Sequence, residues 1–237
     1  MDRSLASQLR HHAHVDPHVR GRWLSDVILG AQDGVVNTLG VVLGVSTATE
    51  SARIVLATGI AAAAAESISM AAVAYTSTAA RGALFRAERA REHRHVREVP
   101  AIERKEVHDL FHGLGFRDDL LTRAVGVVCT DRDRWVNLMM REEHQLEDVD
   151  VRSSLRSAVV VGVSSLVASV LPVLPFALAS GRPAMGAAGA VGLALLLVLG
   201  GTKARLTIGS PWREAVKLAA VGAVSALVAW LLAVALR

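Results

Sequence analysis

Val27-Ile-Leu-Gly-Ala-Gln-Asp33-Gly-Val-Val-Asn37-Thr-Leu-Gly-Val-Val-Leu-Gly-Val45 is an apolar stretch that carries a carboxylate and an amide. Its length is close to the ~20 residues a membrane-spanning helix needs. A carboxylate at membrane depth costs several kcal/mol unless it is paired, hydrated or bound to a cation, so Asp33 marks an ion path. Asn37 lies one turn further on, where it can orient Asp33 or bond a backbone carbonyl. A second case follows in Ala61-Ala-Ala-Ala-Ala-Glu66-Ser-Ile-Ser-Met70, where Glu66 and Met70 stand at i and i+4 and share a helix face. Two acidic helices at bilayer depth point to a cation carrier or channel.

The rest of the chain agrees with a membrane class. It has 237 residues, 52% of them hydrophobic and 20% charged, with a mean hydropathy of +0.39 and an isoelectric point near 10.0. Charge and apolarity are segregated. Apolar stretches run over Val27–Val45, Ile54–Val73, Ala158–Leu178, Ala184–Gly201 and Ala215–Leu236, and a charged block from Arg81 to Arg156 separates the second from the third. The expectation is an all-α membrane protein with five transmembrane helices and a cytoplasmic helical insert between the second and third. Its parts are a polar, His-rich tail (1–22), spans one and two (23–80), a charged helical insert (81–152) and spans three to five (153–237). The tail has no short apolar region before a small-residue cleavage site, so no removable signal peptide is expected. Cys129 is the sole cysteine, which excludes an intramolecular disulfide and a multi-cysteine zinc site.

Basic residues set the orientation. Arg81, Arg86, Arg89, Arg91 and Arg94 flank the second span on its insert side, and Lys203, Arg205, Arg213 and Lys217 join the fourth to the fifth. The opposite side has only Arg53, Arg182 and Arg237. The positive-inside rule then places the N-terminus and insert in the cytoplasm and the C-terminus outside. The basic isoelectric point follows from this asymmetry, and no nucleic-acid partner is needed to explain it.

In the first span, Gly30 with Gly34 and Gly40 with Gly44 form two small-xxx-small pairs, which let another helix approach closely. Ordinary packing within the chain is one reading. The other is a homodimer with the path between two first helices, because five spans enclose little on their own.

The insert reads as helical throughout, without strand alternation. From Ala79 to Val99 there is no proline and only Gly82, so the second span should continue as a polar helix until Pro100. Further helices are expected over Ala101–His112, Asp118–Val128 and Arg132–Glu147, the last capped by Asp131. Glu92 with His95 and Glu103 with Glu106 form i, i+3 pairs, and Met139, Met140 and Glu143 share a helix. Carboxylates, an imidazole and thioethers together suit Fe2+, Mn2+, Co2+ or Zn2+ better than calcium or magnesium, which favour oxygen alone. Solvated faces held by Glu–Arg pairs are the competing reading. His108 and His112, at i and i+4, fit a solvated face, and the tail histidines His11, His12, His14 and His18 lack fixed geometry. A di-iron bundle would need two Glu-xx-His motifs, and this chain offers one.

The motifs, taken in order, resemble the vacuolar iron transporter family. Ile28 to Val42, around Asp33, is similar to that family's first-helix signature, and Ala65-Glu66-Ser-Ile-Ser-Met70-Ala-Ala to its second. The resemblance continues through Glu92, Glu103-xx-Glu106 and Met139-Met140-xx-Glu143, then Leu171-Pro-Val-Leu-Pro175 and Gly201-Thr-Lys203-Ala. It implies a five-helix dimer that exports cytosolic Fe2+, and often Mn2+, in exchange for protons. It also implies a path lined by Asp33, Glu66 and Met70 and a cytoplasmic metal-binding insert, in a bacterial-type member of the inner membrane. The chain departs from the pattern at His95 and at Ala74, where the family commonly has glutamate. The alternatives are a membrane-anchored di-iron ferroxidase and a metal-binding membrane protein that does not transport.

Overall fold

The computed structural model describes residues 20–144, 148–206 and 210–235; the polar tail and its four histidines lie outside them. Every regular element among the described residues is a helix: α1 Arg20–Ala48, α2 Ala52–Glu98, α3 Pro100–Gly113, α4 Asp118–Cys129, α5 Arg132–Glu142, α6 Val151–Val170, α7 Pro175–Leu178, α8 Gly181–Leu206 and α9 Pro211–Ala235. Among the described residues, five segments are long and apolar enough to cross a membrane: Trp23–Ala48, Ala52–Glu98, Val151–Leu178, Gly181–Arg205 and Pro211–Ala235. The chain divides into two compact units. Of the described residues, those up to Ala74 and from Arg156 onward form one, and Tyr75–Leu155 the other.

In the first unit α9 packs on α8 and α1, α1 packs on α8, and α7 packs on α8. Its cores are small and lie inside the bundle, one around Val42, Val55, Val173 and Phe176 and one around Ala31, Val35, Leu196 and Leu218. The outward faces are apolar too: Val159, Val167, Val198, Val224 and Leu232 are each more than half exposed. In water such a surface would be a liability. In hydrocarbon it costs nothing, because lipid tails are as apolar as these side chains.

The glycine pairs of α1 have partners within the chain. A Cβ at Gly30 would collide with the Val161 carbonyl and the Ser164 hydroxyl, and one at Gly34 would stand 2.5 Å from both the Ser165 carbonyl and the Ser169 hydroxyl. Gly40 and Gly44 face Ser225 and Ala229 of α9. Small residues therefore seat α6 and α9 against α1, and spacing alone does not supply the reason for a dimer. The third span is not one continuous helix. After Val170 the chain tightens, with Val173 N–H donating to the Val170 carbonyl and Phe176 N–H to that of Val173, both in i to i+3 bonds. Pro172 has no N–H to give to the α-helical ladder, and Pro175 restarts the helix as its first residue.

In the second unit α2 stays unbroken to Glu98, and Val99 leaves helical geometry (φ −133°, ψ 48°) because the residue before a proline is driven from the α region. Pro100 opens α3. That helix closes with Gly115 at φ 96°; Gly115 N–H donates to the His112 carbonyl and Phe116 N–H to that of Phe111. The Phe111 and Phe116 rings meet at 5.2 Å, completing a Schellman closure with its hydrophobic contact. Asp131 caps α5 by accepting from Arg134 N–H at 3.0 Å. This helix ends at Glu142, before the expected Glu147, because the chain bends at Glu143 and His144. Phe85, Val96, Val107, Leu121, Val125, Trp135, Val136, Met139 and Met140 fill the core.

Candidate metal centres

The first centre lies in the first unit, where α1 and α2 bring their acids together. Asn37 Nδ2 stands 3.5 Å from Asp33 Oδ2, one turn apart on α1, and both side chains neighbour the Glu66 carboxyl of α2. Asp33 and Glu66 are half-buried and Asn37 is exposed in the single chain, as is Val41 one turn further on. Met70 is half-buried one turn beyond Glu66. Chemically this is a pair of exchangeable oxygens flanked by an amide, with a thioether on the helix that supplies one of the carboxylates.

The second centre is built on the corner between α2 and α3. Pro100 turns the chain so that His95, near the end of α2, faces Glu103 in the first turns of α3, with Nδ1 at 3.3 Å from Oε1. Glu92, one turn before His95, joins them, and one ligand atom from each of Glu92, His95 and Glu103 falls within 4.8 Å of the others. Glu92 and Glu103 are each 3% exposed, and Oε2 of each has no hydrogen-bond partner among the described residues. Such orphaned buried oxygens call for a proton or a cation.

Electrostatics draw Glu106 and Glu143 into the same group. Burial, followed by the charges of Glu92, Glu106 and Glu143, pushes the Glu103 carboxyl up to about 7. Glu143 is also raised, first by burial and then by Glu106, with His144 and His95 opposing. Four carboxylates thus share one neighbourhood with two imidazoles.

The other sequence candidates lie in the same unit. Met139 and Met140 are 3% and 2% exposed and belong to its hydrophobic core. His108 and His112 stack with ring centroids 6.2 Å apart, and His108 stands 3.1 Å from Asp109 on the surface. His144 was missed in the sequence: its Nε2 lies 3.1 Å from Glu92 Oε1 across 52 residues of chain. The local signal was slight, an imidazole next to Glu143 and one turn past Met140.

Five helices apolar enough to cross a membrane, two of which carry an acid within the apolar stretch, define an integral membrane protein with the means to handle cations. The VIT family model matches residues 24–234, and the chain belongs to that family. It is 29% identical over 234 residues to vacuolar iron transporter 1 of Oryza sativa subsp. japonica, covering 98% of this chain and 93% of that protein. With vacuolar iron transporter 1 of Arabidopsis thaliana it shares 29% over 222 residues, 93% of this chain and 89% of the other. The Eucalyptus grandis protein of the same name is 28% identical over 226 residues, 94% and 91% of the two chains. These relatives are transporters, and the protein is a metal-ion transporter of this kind rather than an enzyme.

Proposed function

We propose that this protein is a proton-coupled exporter of a divalent transition metal, Fe2+ and also Mn2+, from the cytosol across the membrane. The observation that carries the reading is the convergence of Asp33, Asn37 and Glu66 in a bundle whose outward faces are apolar. The relatives named as iron transporters supply the cargo. Moving a divalent cation outward against a negative-inside potential costs ~4.6 kcal/mol per 100 mV, twice the single-charge value. Two protons returned per metal cancel that electrical term. Carboxylates serve both ions because protonation and metal binding compete for the same oxygens. Asp33 and Glu66 form the exchange pair, Asn37 orients Asp33, and Met70 biases the site away from Mg2+ and Ca2+.

The insert is the cytoplasmic collector of metal. Glu92, His95, Glu103, Glu106 and Glu143 supply its donors, together with the thioethers of Met139 and Met140, and Co2+ or Zn2+ are further cations that such a set accepts. Its basic flank and the Lys203–Glu214 pair (3.7 Å) belong to the cytoplasmic side, and the membrane of a bacterial-type member is the inner one.

The protein works as a homodimer, for a reason other than the glycine pairs. On α1, Ser25, Leu29, Asn37 and Val41 are exposed in the single chain and Asp33 is half-buried on the same i, i+4 stripe. A carboxylate and an amide facing lipid would be costly, and a second copy of this stripe covers them.

The test is uptake into proteoliposomes of Fe2+, Mn2+, Co2+ or Zn2+ with luminal pH recorded in the same vesicles. Metal entering as protons leave supports the exchanger; metal binding without flux would overturn it.

A further inference from the structure

His144 closes the insert's cluster from the end of α5, a direction that neither α2 nor α3 supplies. The bend that ends α5 delivers it: His144 N–H donates to the Met139 carbonyl at 3.3 Å, and the ring then reaches Glu92 Oε1 at 3.1 Å. Its side chain is 22% exposed and that of Glu92 5%. His95 Nδ1 approaches Glu103 Oε1 at 3.3 Å. Each imidazole thus stands at one oxygen of a buried carboxylate whose other oxygen, Oε2, has no partner among the described residues.

We propose that His144 is itself a ligand to the divalent cation held in this cluster, so that with His95 the site presents two imidazole nitrogens among its carboxylates and favours Co2+ or Zn2+ over Mn2+. The proposal rests on the reading of the insert as a metal-binding unit. Without metal, the Nε2–H tautomer donates to Glu92. With metal, the ring carries its proton on Nδ1 and the Nε2 lone pair faces the cation, while Glu92 turns the freed oxygen to the same ion. No net charge changes in that exchange. An imidazole donor suits zinc, cobalt and iron, whereas carboxylate oxygen suits manganese.

The alternative is that His144 only positions Glu92, and affinity alone does not separate the two, since loss of a positioning partner also weakens metal sites. The imidazole count does. The full-length protein would carry Asp33→Asn and alanine at His11, His12, His14 and His18, removing competing donors, and be loaded with one Zn2+ or Co2+ per chain. X-ray absorption fine structure should then show two imidazoles, falling to one in His144→Gln, which keeps an N–H for Glu92 but offers no ring. The preference for Co2+ over Mn2+ should fall roughly tenfold, with Mn2+ affinity held within about twofold as a check that the cluster is intact. An unchanged imidazole count with metal bound, or equal loss of both metals, overturns the proposal. Unaltered binding in a Glu103→Gln, Glu143→Gln double variant would instead overturn the assignment of metal to the insert.

Discussion

His95 and Glu103 meet at 3.3 Å across the Pro100 corner, although they belong to different helices and only eight positions separate them. The corner exists because proline forbids the helix to continue, so the insert's central donors depend on a backbone constraint and not only on side-chain attraction. Glu106, on the next turn of α3, follows the same placement.

The Glu103 carboxyl, held near 7 by burial and its acidic neighbours, predicts a pH dependence with a definite sign. Its ordinary value is 4.5, so the folded state binds the proton more tightly than the unfolded one. The stability contributed is full below about 4.5 and is lost as pH rises through about 7. In chelator, the melting temperature of the wild type should fall relative to Glu103→Gln between pH 5 and pH 8, by a slope consistent with about one proton. Parallel profiles for the two proteins would show that Glu103 does not titrate this way. Metal binding, which needs the deprotonated group, should tighten over the same range.

Replacing Glu103, Glu106 and Glu143 together by alanine should weaken Fe2+ or Mn2+ binding to the insert at least tenfold, or ~1.4 kcal/mol. Calorimetric titration in an Asp33→Asn background measures it, and an unchanged isotherm would remove these residues from the site. Met140→Ala is a poor probe, because truncating a methionine this buried costs ~2–5 kcal/mol in packing alone. Met140→Leu keeps the volume at a cost under ~1.5 kcal/mol and isolates the thioether. Weaker Fe2+ binding in that variant, with the melting temperature lowered by no more than that packing cost, is the expected result.

Asp33→Asn keeps the shape and removes the charge, so it should abolish metal flux in proteoliposomes while insert binding and assembly persist. Glu66→Gln should stop flux or uncouple it from protons, and Met70→Leu should reduce discrimination for Fe2+ over harder ions. Wild-type flux with full proton exchange in Asp33→Asn would sink the exchange mechanism.

Gly34→Ala should destabilise the bundle by ~1–3 kcal/mol, since the added methyl meets the Ser165 carbonyl and Ser169 hydroxyl at 2.5 Å. Gly126→Ala, in the middle of α4 with no described residue within 4 Å of the added methyl, should stabilise by ~0.5–1 kcal/mol. Thermal unfolding in detergent compares the two, and equal effects would mean that the α1–α6 contact is looser than the structure has it.

Ser25, exposed on the same stripe as Asp33 and Asn37, gives the assembly test. Ser25→Cys with Cys129→Ser should cross-link between protomers in membranes. A strictly monomeric species without cross-link would count against the shared α1 face.

The five spans, the proline corner, the Asp131 cap and the unbroken α2 were all legible in the amino-acid sequence. The reason is that each is local: a bilayer requires a helix to satisfy its own backbone, so length and apolarity suffice to locate it, and caps and prolines act within a few residues. The pairs Glu66 with Met70 and Glu92 with His95 were equally visible as helical spacing. What spacing could not settle was which partner a face meets. Gly30 and Gly34 admit any close-packing helix, and only the folded chain shows that α6 takes the place. Met139 and Met140 fit a ligand pattern and a core pattern alike, and packing of α2 to α5 buried them. His144 reaches Glu92 from 52 residues away, a proximity created by tertiary packing and absent from any local period, so its place beside the carboxylates was decided by the fold.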